Sequence, residues 1–118
     1  MATMGERDER HGRFWELVDP MIGSGRLVEG TMMGHHCVRA ADNDGFVATV
    51  ERSSGDLVVK LPRERVAELV ASGDGRSFAP AKKVFKEWVA IPRKDDDAAT
   101  DQQWTALLEE SIAFVGGG

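Results

Sequence analysis

One short stretch of the sequence collects side chains that can bind a metal ion or act as nucleophiles. It is His35-His36-Cys37, which holds two of the three histidines and the single cysteine. On a strand, His35 and Cys37 would share one face while His36 would point to the other. A zinc or copper site would then need further ligands from elsewhere, and only His11 and scattered carboxylates remain. We favour the alternative, in which the histidines face solvent or form a turn beside a small buried thiol.

Thiol or hydroxyl catalysis is not supported by the sequence around the candidate nucleophiles. A catalytic cysteine needs a thiolate stabilised by a positioned imidazole, together with an oxyanion site, and no cysteine-hydrolase signature surrounds Cys37. Ser24 stands between two glycines but lacks the spacing of the G-x-S-x-G nucleophile elbow. No glycine-rich stretch has the spacing of a dinucleotide- or phosphate-binding loop. We therefore expect no catalytic residue, no cofactor and no metal, and we predict that the protein is not an enzyme.

The clustered carboxylates are better explained as solvated surface charge. Asp95-Asp96-Asp97 lacks the alternate-position spacing of a calcium loop, and three consecutive carboxylates repel one another. Glu109-Glu110 falls on the polar side of a predicted helix, so it is not a buried pair suited to acid–base catalysis.

The basic run Lys82, Lys83 and Lys86, with Arg76 nearby, is the one candidate surface for a polyanion. Two aromatic residues are interleaved with it, and an array of cations and rings can neutralise a nucleic-acid backbone and stack on its bases. The alternative is that the lysines protect an edge strand from pairing with another chain. The chain has 15 basic and 20 acidic residues, a formal net charge of −5, which disfavours nucleic acid as the partner.

Length and composition indicate one globular domain. The 118 residues are 42% hydrophobic and 30% charged, which is typical of a domain that buries its own core. A single cysteine excludes an intrachain disulfide and fits a reducing compartment, and no signal peptide or 18-residue apolar run is present. We expect a domain over residues 14–115, flexible segments at 1–13 and 116–118, a cytoplasmic location and no membrane partner.

The elements that must position these residues follow from apolar periodicity and turn chemistry. We predict helices over 6–22, from Pro62 to a cap at Gly73, and from Thr100 to Val115, and strands over 26–33, 36–41, 46–52, 57–61 and 86–91, with one more short strand at Ser77-Phe78. Short turns separate the first four strands, so these strands are antiparallel neighbours. The pattern predicts an α+β fold, an antiparallel sheet with helices packed on one face.

The third strand shows the clearest alternation of side chains. It predicts one face formed by Phe46, Ala48 and Val50 and an opposite face that begins with Val47 and Thr49.

Two further local signals concern the last helix and the tryptophans. Thr100 followed by Gln103 has the spacing of a capping box, which predicts that the helix begins at Thr100. Trp15, Trp88 and Trp104 fall on the apolar faces of three predicted elements. A shared core cluster is therefore favoured over a ligand cage.

Six pieces of the sequence follow one another in the order found in a known protein family. They are Thr31-Met32-Met33-Gly34, Asp56 to Leu61, Val66 to Ser72, Ser77-Phe78-Ala79-Pro80, Trp88-Val89-Ala90-Ile91-Pro92 and the helix Trp104 to Val115. This order resembles the TfoX/Sxy N-terminal domain family over residues 14–115. Met33 stands where that family usually has phenylalanine, and His35-His36 replaces glycine or other small residues. The segment Leu107 to Ser111 also resembles the related MmcQ/YjbR family.

The resemblance implies a compact α+β domain of the secretion-chaperone-like type without known catalytic residues. The TfoX/Sxy group includes regulators of bacterial competence that carry a second, C-terminal domain, for which this sequence has no counterpart, so the competence role is not carried over. Our first hypothesis is a bacterial, regulatory, non-enzymatic domain that acts through protein–protein contacts, with an unknown partner or as a homodimer. The second is a DNA-binding accessory protein of the MmcQ/YjbR type that uses Arg76, Lys82, Lys83 and Lys86.

Overall fold

Three helices and six strands form the part of the chain that the computed structural model describes, residues 11–32, 35–51, 54–79 and 82–116, with backbone alone for Met32 and His35. The helices are α1 (Gly12–Gly23), α2 (Arg63–Ser72) and α3 (Asp97–Gly116), and the strands are β1 (Leu27–Met32), β2 (His35–Ala40), β3 (Phe46–Val50), β4 (Leu57–Lys60), β5 (Arg76–Ser77) and β6 (Trp88–Ile91). Predictions for residues 1–10, Met33-Gly34, 52–53, Pro80 and 117–118 lie outside the described residues.

The strands form one open antiparallel sheet in the order β1-β2-β3-β4-β6-β5. The first four strands are sequential neighbours, as their short turns predict. The chain then leaves the sheet through α2, adds the short edge strand β5, and returns as β6 between β4 and β5. The α+β fold predicted from the sequence is confirmed, including the additional short strand.

All three helices contribute to one hydrophobic core on a single face of the sheet. Trp104 of α3, Phe14 of α1 and Leu69 of α2 are at most 4% exposed and belong to the same cluster as Val38 of β2 and Val59 of β4. α3 contacts β2, β3 and β4, α1 contacts β1, and α2 contacts β5 and β6. The apolar stripe of each helix therefore faces the sheet. Among the described residues, no helix is both long and apolar enough to cross a membrane.

A β-bulge changes the predicted faces of β3. Val38 pairs with Ala48 but Arg39 pairs with Phe46, so Val47 is an extra residue between the two pairs. Val47 and Ala48 both belong to the core, whereas Phe46 lies outside the core cluster with the Arg39 guanidinium 4.6 Å from its ring centroid. The predicted face is confirmed for Ala48 and Val50, which both belong to the core, but it is wrong for Phe46, because the extra residue interrupts the alternation.

The last helix begins earlier than the capping-box spacing predicts. α3 starts at Asp97, and Thr100 lies inside its first turn with no exposed surface. The Thr100 hydroxyl accepts a hydrogen bond from the backbone N–H of Lys94 at 2.8 Å, three residues before the helix. Thr100 thus ties the preceding loop to the helix instead of capping it, since a buried hydroxyl takes whichever partner the fold brings to it. By contrast, the predicted cap at Gly73 is confirmed, with φ of 85° in the left-handed region.

Candidate binding groove

A shallow groove with a volume of about 560 Å³ lies where β4, α2 and β6 meet, and we call it the basic groove. Its lining residues are Lys60, Arg63, Phe85, Lys86, Glu87 and Trp88. Three cations, one carboxylate and two aromatic rings therefore share one solvent-open depression. None of these six side chains is fully buried.

The sheet register brings together residues that are far apart in the sequence. Lys60 ends β4 and Trp88 begins β6, and the two are directly paired across the antiparallel ladder. Their side chains therefore leave the same face of the sheet. The Leu61 N–H donates to the Glu87 carbonyl at 2.9 Å, which extends the contact beyond the last ladder pair.

Arg63, another cation of the groove, is placed there by the turn that precedes α2. Pro62, with φ of −56° and ψ of 149°, is the N-cap residue, so the helix begins at Arg63. Proline at this position loses no helical hydrogen bond, because the first N–H groups of a helix have no partner inside it. Arg63 therefore stands three residues after Lys60 but on a different element.

The three cations of the basic groove lack an ionic partner. Lys60, Arg63 and Lys86 make no ion pair with any residue that the structure describes. Six other basic residues within the described ranges do make ion pairs: Arg13, Arg26, Arg39, Arg65, Arg76 and Lys94. Lys82, Lys83 and Arg93 are likewise unpaired within the described ranges, but they do not line the groove. The three groove cations are therefore the unpaired ones that a single depression gathers for an anionic ligand.

Trp88 does not join the core cluster that its apolar pattern predicts. Trp15 and Trp104 belong to the core with 4% and 0% exposure, whereas Trp88 is half-buried and lines the basic groove. The backbone N–H of Trp88 donates to the backbone carbonyl of Phe85 at 3.1 Å. The Phe85 ring packs edge-on against the Phe78 ring, with 6.0 Å between the centroids. The prediction of one cluster of three tryptophans is therefore wrong for Trp88, because its strand position directs it away from the helices.

The structure does not bring together the four basic residues predicted to bind nucleic acid, which are Arg76, Lys82, Lys83 and Lys86. Arg76 binds Glu51 at 2.7 Å and Asp56 at 2.6 Å, so two carboxylates already neutralise it. Lys82, Lys83 and Lys86 are exposed, and Lys86 alone of the three lines the basic groove. All three lie in the loop between the edge strand β5 and β6 and not on a strand, so the interpretation of the lysines as guards of an edge strand stays a prediction.

The His35-His36-Cys37 stretch forms β2 together with the next three residues. Cys37 is buried with no exposed surface, and His36 on the opposite face packs edge-on against Trp15 at 6.1 Å between ring centroids. Burial raises the pKa of the Cys37 thiol, and the Arg39 guanidinium opposes this rise. Such a thiol is a poor nucleophile at neutral pH. No group of three metal-binding side chains exists among the described residues, and the His35 side chain lies outside them.

Sequence reasoning missed Lys60 and Arg63, although a charge count over a longer window would have indicated them. From Lys60 to Lys94 the chain has nine basic and four acidic residues, a net charge of +5. The whole chain carries −5, so the remaining residues sum to −10. The basic excess of the chain is therefore concentrated in the segment that supplies every lining residue of the basic groove.

Comparison of the chain with protein families, with curated proteins and with solved structures found no match. The similarity to the TfoX/Sxy and MmcQ/YjbR families therefore stays a prediction from sequence motifs.

Proposed function

We propose that the protein is a cytoplasmic, non-enzymatic binding domain that acts through contact with another protein at the basic groove. The observation that carries this proposal is a groove that three cations, Lys60, Arg63 and Lys86, share with two aromatic rings, where none of the three makes an ion pair with a described residue. Tryptophan and arginine, represented here by Trp88 and Arg63, are among the residue types that contribute most to the energy of protein–protein contacts.

Two features of the sequence support the remaining parts of the proposal. The motif order that resembles the TfoX/Sxy and MmcQ/YjbR families implies a domain without known catalytic residues. The single buried thiol, Cys37, fits a compartment in which disulfides do not form. A bacterial regulatory role follows from the same resemblance.

A DNA-binding accessory role is the second candidate, and the exposed lysines of the loop before β6 favour it. Lys82, Lys83 and Lys86 make no ion pair within the described ranges. However, duplex binding needs a row of cations matched to successive phosphates, and Arg76, the fourth member of the predicted set, is held by two carboxylates. The net charge of −10 outside residues 60–94 also repels an extended polyanion.

Site-specific photo-crosslinking in native cells tests the proposal. A benzophenone amino acid replaces Val84, which is 53% exposed and precedes Phe85, and in a control it replaces the exposed Ala106 of α3. We expect a protein adduct from position 84 and none from position 106. Adducts with nucleic acid from position 84 would instead support the DNA-binding role. Equal protein labelling from both positions would contradict a specific contact at the groove.

A further inference from the structure

The basic groove has features that restrict the chemistry of its partner. Lys60, Arg63 and Lys86 reach it from the end of β4, the start of α2 and the loop before β6. Glu87 is the one carboxylate in the lining, so positive charges outnumber negative ones there, and an anionic ligand relieves the remaining repulsion between the cations. The groove therefore favours a ligand that carries several negative charges over a ligand that carries one.

The rings of the groove add a requirement for apolar surface. Trp88 and Phe85 are both half-buried, and neither belongs to the core cluster beneath the helices. The edge-on contact with Phe78 holds the Phe85 ring in place. A tryptophan that keeps part of its surface in water gains free energy when an apolar side chain or a ring covers it.

The size of the groove and the charge around it favour a peptide over a nucleic acid. A volume of about 560 Å³ accommodates a few side chains, as expected for a short segment of a partner. Outside residues 60–94 the net charge is −10, so a ligand whose charge is confined to a short stretch avoids repulsion that a continuous phosphate backbone would meet. The Glu87 carboxylate within the groove also repels closely spaced phosphate groups.

We infer that the basic groove binds a short acidic peptide segment of the partner protein, in which carboxylates flank an aromatic or aliphatic side chain. The carboxylates pair with Lys60, Arg63 and Lys86, and the apolar side chain covers Trp88. This inference rests on the proposed function and specifies the chemistry of the partner.

The natural fluorescence of the protein offers a direct measurement. Trp15 and Trp104 are in the core, so Trp88 is the tryptophan whose emission changes when the groove is filled. We use three blocked hexapeptides with the same Leu-Phe centre, flanked by Glu and Asp, by Gln and Asn, or by Lys, and a 20-base-pair DNA duplex. We expect saturable binding of the acidic peptide, weakened by 300 mM salt, and at least tenfold weaker binding of the neutral and basic peptides.

Matched charge reversals then locate the binding site. Arg63→Glu and Arg93→Glu make the same change, and both arginines are exposed and make no ion pair with a described residue, but Arg93 does not line the basic groove. A glutamate in the first turn of α2 suits the helix dipole, so Arg63→Glu should keep the fold. We expect affinity for the acidic peptide to fall at least about tenfold for Arg63→Glu and less than about twofold for Arg93→Glu.

A ring substitution tests the apolar contact separately. Trp88→Leu removes the indole and leaves the groove's charge unchanged, and peptide binding is then followed by the anisotropy of a labelled peptide. We expect a loss of at least about fivefold, with far-ultraviolet circular dichroism confirming the fold. Affinity unchanged in a folded Trp88→Leu protein would contradict the contact with the indole.

The remaining outcomes separate this inference from the proposed function. Equal binding of the acidic and neutral peptides, or equal losses from Arg63→Glu and Arg93→Glu, would overturn the inference. If a protein adduct still formed at position 84, the proposed function would stand without it. Preferential binding of the duplex, together with nucleic-acid adducts at position 84, would overturn both.

Discussion

The hydroxyl of Thr100 shows how one buried polar group can order a segment that has no regular structure. It accepts from the Lys94 N–H at 2.8 Å and lies within hydrogen-bond distance of the carbonyls of Asp96, at 3.1 Å, and Lys94, at 3.3 Å. The hydroxyl therefore connects the loop after β6 to the first turn of α3. A valine has nearly the same shape but cannot make these bonds, so the hydroxyl's contribution can be isolated.

We predict that Thr100→Val lowers the free energy of unfolding by about 1–2 kcal/mol, because the Lys94 N–H loses its acceptor. Thr100→Ser keeps the hydroxyl and should lose less than the valine variant. Urea denaturation followed by circular dichroism measures both. A valine variant as stable as the wild type would show that water replaces the hydroxyl without cost.

The Cys37 thiol is less reactive than its position next to two histidines suggests. Two histidines and a thiol in a row indicate a metal or a nucleophile, yet strand geometry places His36 on the opposite face from the thiol. The pKa of the thiol is raised by its complete burial. At the scale of single residues, burial and strand direction therefore decide reactivity more than residue type does.

At the scale of elements, the outer edge of β1, the first strand of the described sheet, is partly closed by a side chain from β2. The Ala41 N–H donates to the Arg26 carbonyl, so Arg26 hydrogen-bonds toward β2. In an antiparallel pair the residues of a strand alternate between bonding to the partner strand and pointing away from it, and Thr31, five residues later, points its carbonyl away from β2. Arg39 of β2 crosses β1 at Gly30 and donates to that carbonyl at 3.1 Å. A Cβ on Gly30 would lie 3.0 Å from the Arg39 Nε, so glycine leaves room for the crossing.

We predict that Arg39→Ala promotes association through β1, because an exposed edge carbonyl can accept a hydrogen bond from a strand of another copy. Light scattering over a concentration series should give a higher mean mass for Arg39→Ala than for the wild type. Arg65→Ala is the control, since it removes ion pairs with Glu68 and Glu110 away from this edge. Equal masses for Arg39→Ala and the wild type would contradict a protective role for Arg39.

At the scale of the whole molecule, ion pairs connect elements that are distant in the sequence. Arg26, which precedes β1, binds Glu109 of α3, and Arg76 of β5 binds Glu51 after β3. Hydrogen bonding to Arg26 lowers the pKa of Glu109, and the hydroxyl of Ser54 together with Arg76 lowers the pKa of Glu51. Both carboxylates therefore favour their charged forms in the folded protein.

We predict that the protein loses stability in acid through these two glutamates. Their folded-state pKa values lie below that of an unfolded glutamate, about 4.3, so their stabilisation is present above that pH and is lost as the pH falls through the folded-state values. Glu109→Gln should make the free energy of unfolding depend less steeply on pH between about 5 and 3. Urea denaturation at several pH values measures this slope, and a slope equal to the wild type's would show that the Arg26 pair contributes nothing.

Much of the fold follows from the sequence, because helix and strand periodicities are local. Trp104, Leu107 and Leu108 lie on the buried face of α3 where their spacing predicts, and Gly73 ends α2. Turn residues between the first four strands likewise determine their antiparallel order. These features depend on residues that are a few positions apart, which single-sequence patterns contain.

Only the tertiary structure decided which side chains of β3 face the core and which residues line the basic groove. Val47 enters the core because of a bulge against β2, and a bulge depends on pairing between strands, which alternation within one strand does not contain. Lys60 meets Trp88 through the register of β4 with β6, 28 positions apart in the sequence. The sequence by itself determined which elements form and which faces of the helices are apolar. The sheet register, which depends on contacts between distant residues, decided where the unpaired cations and the half-buried indole meet.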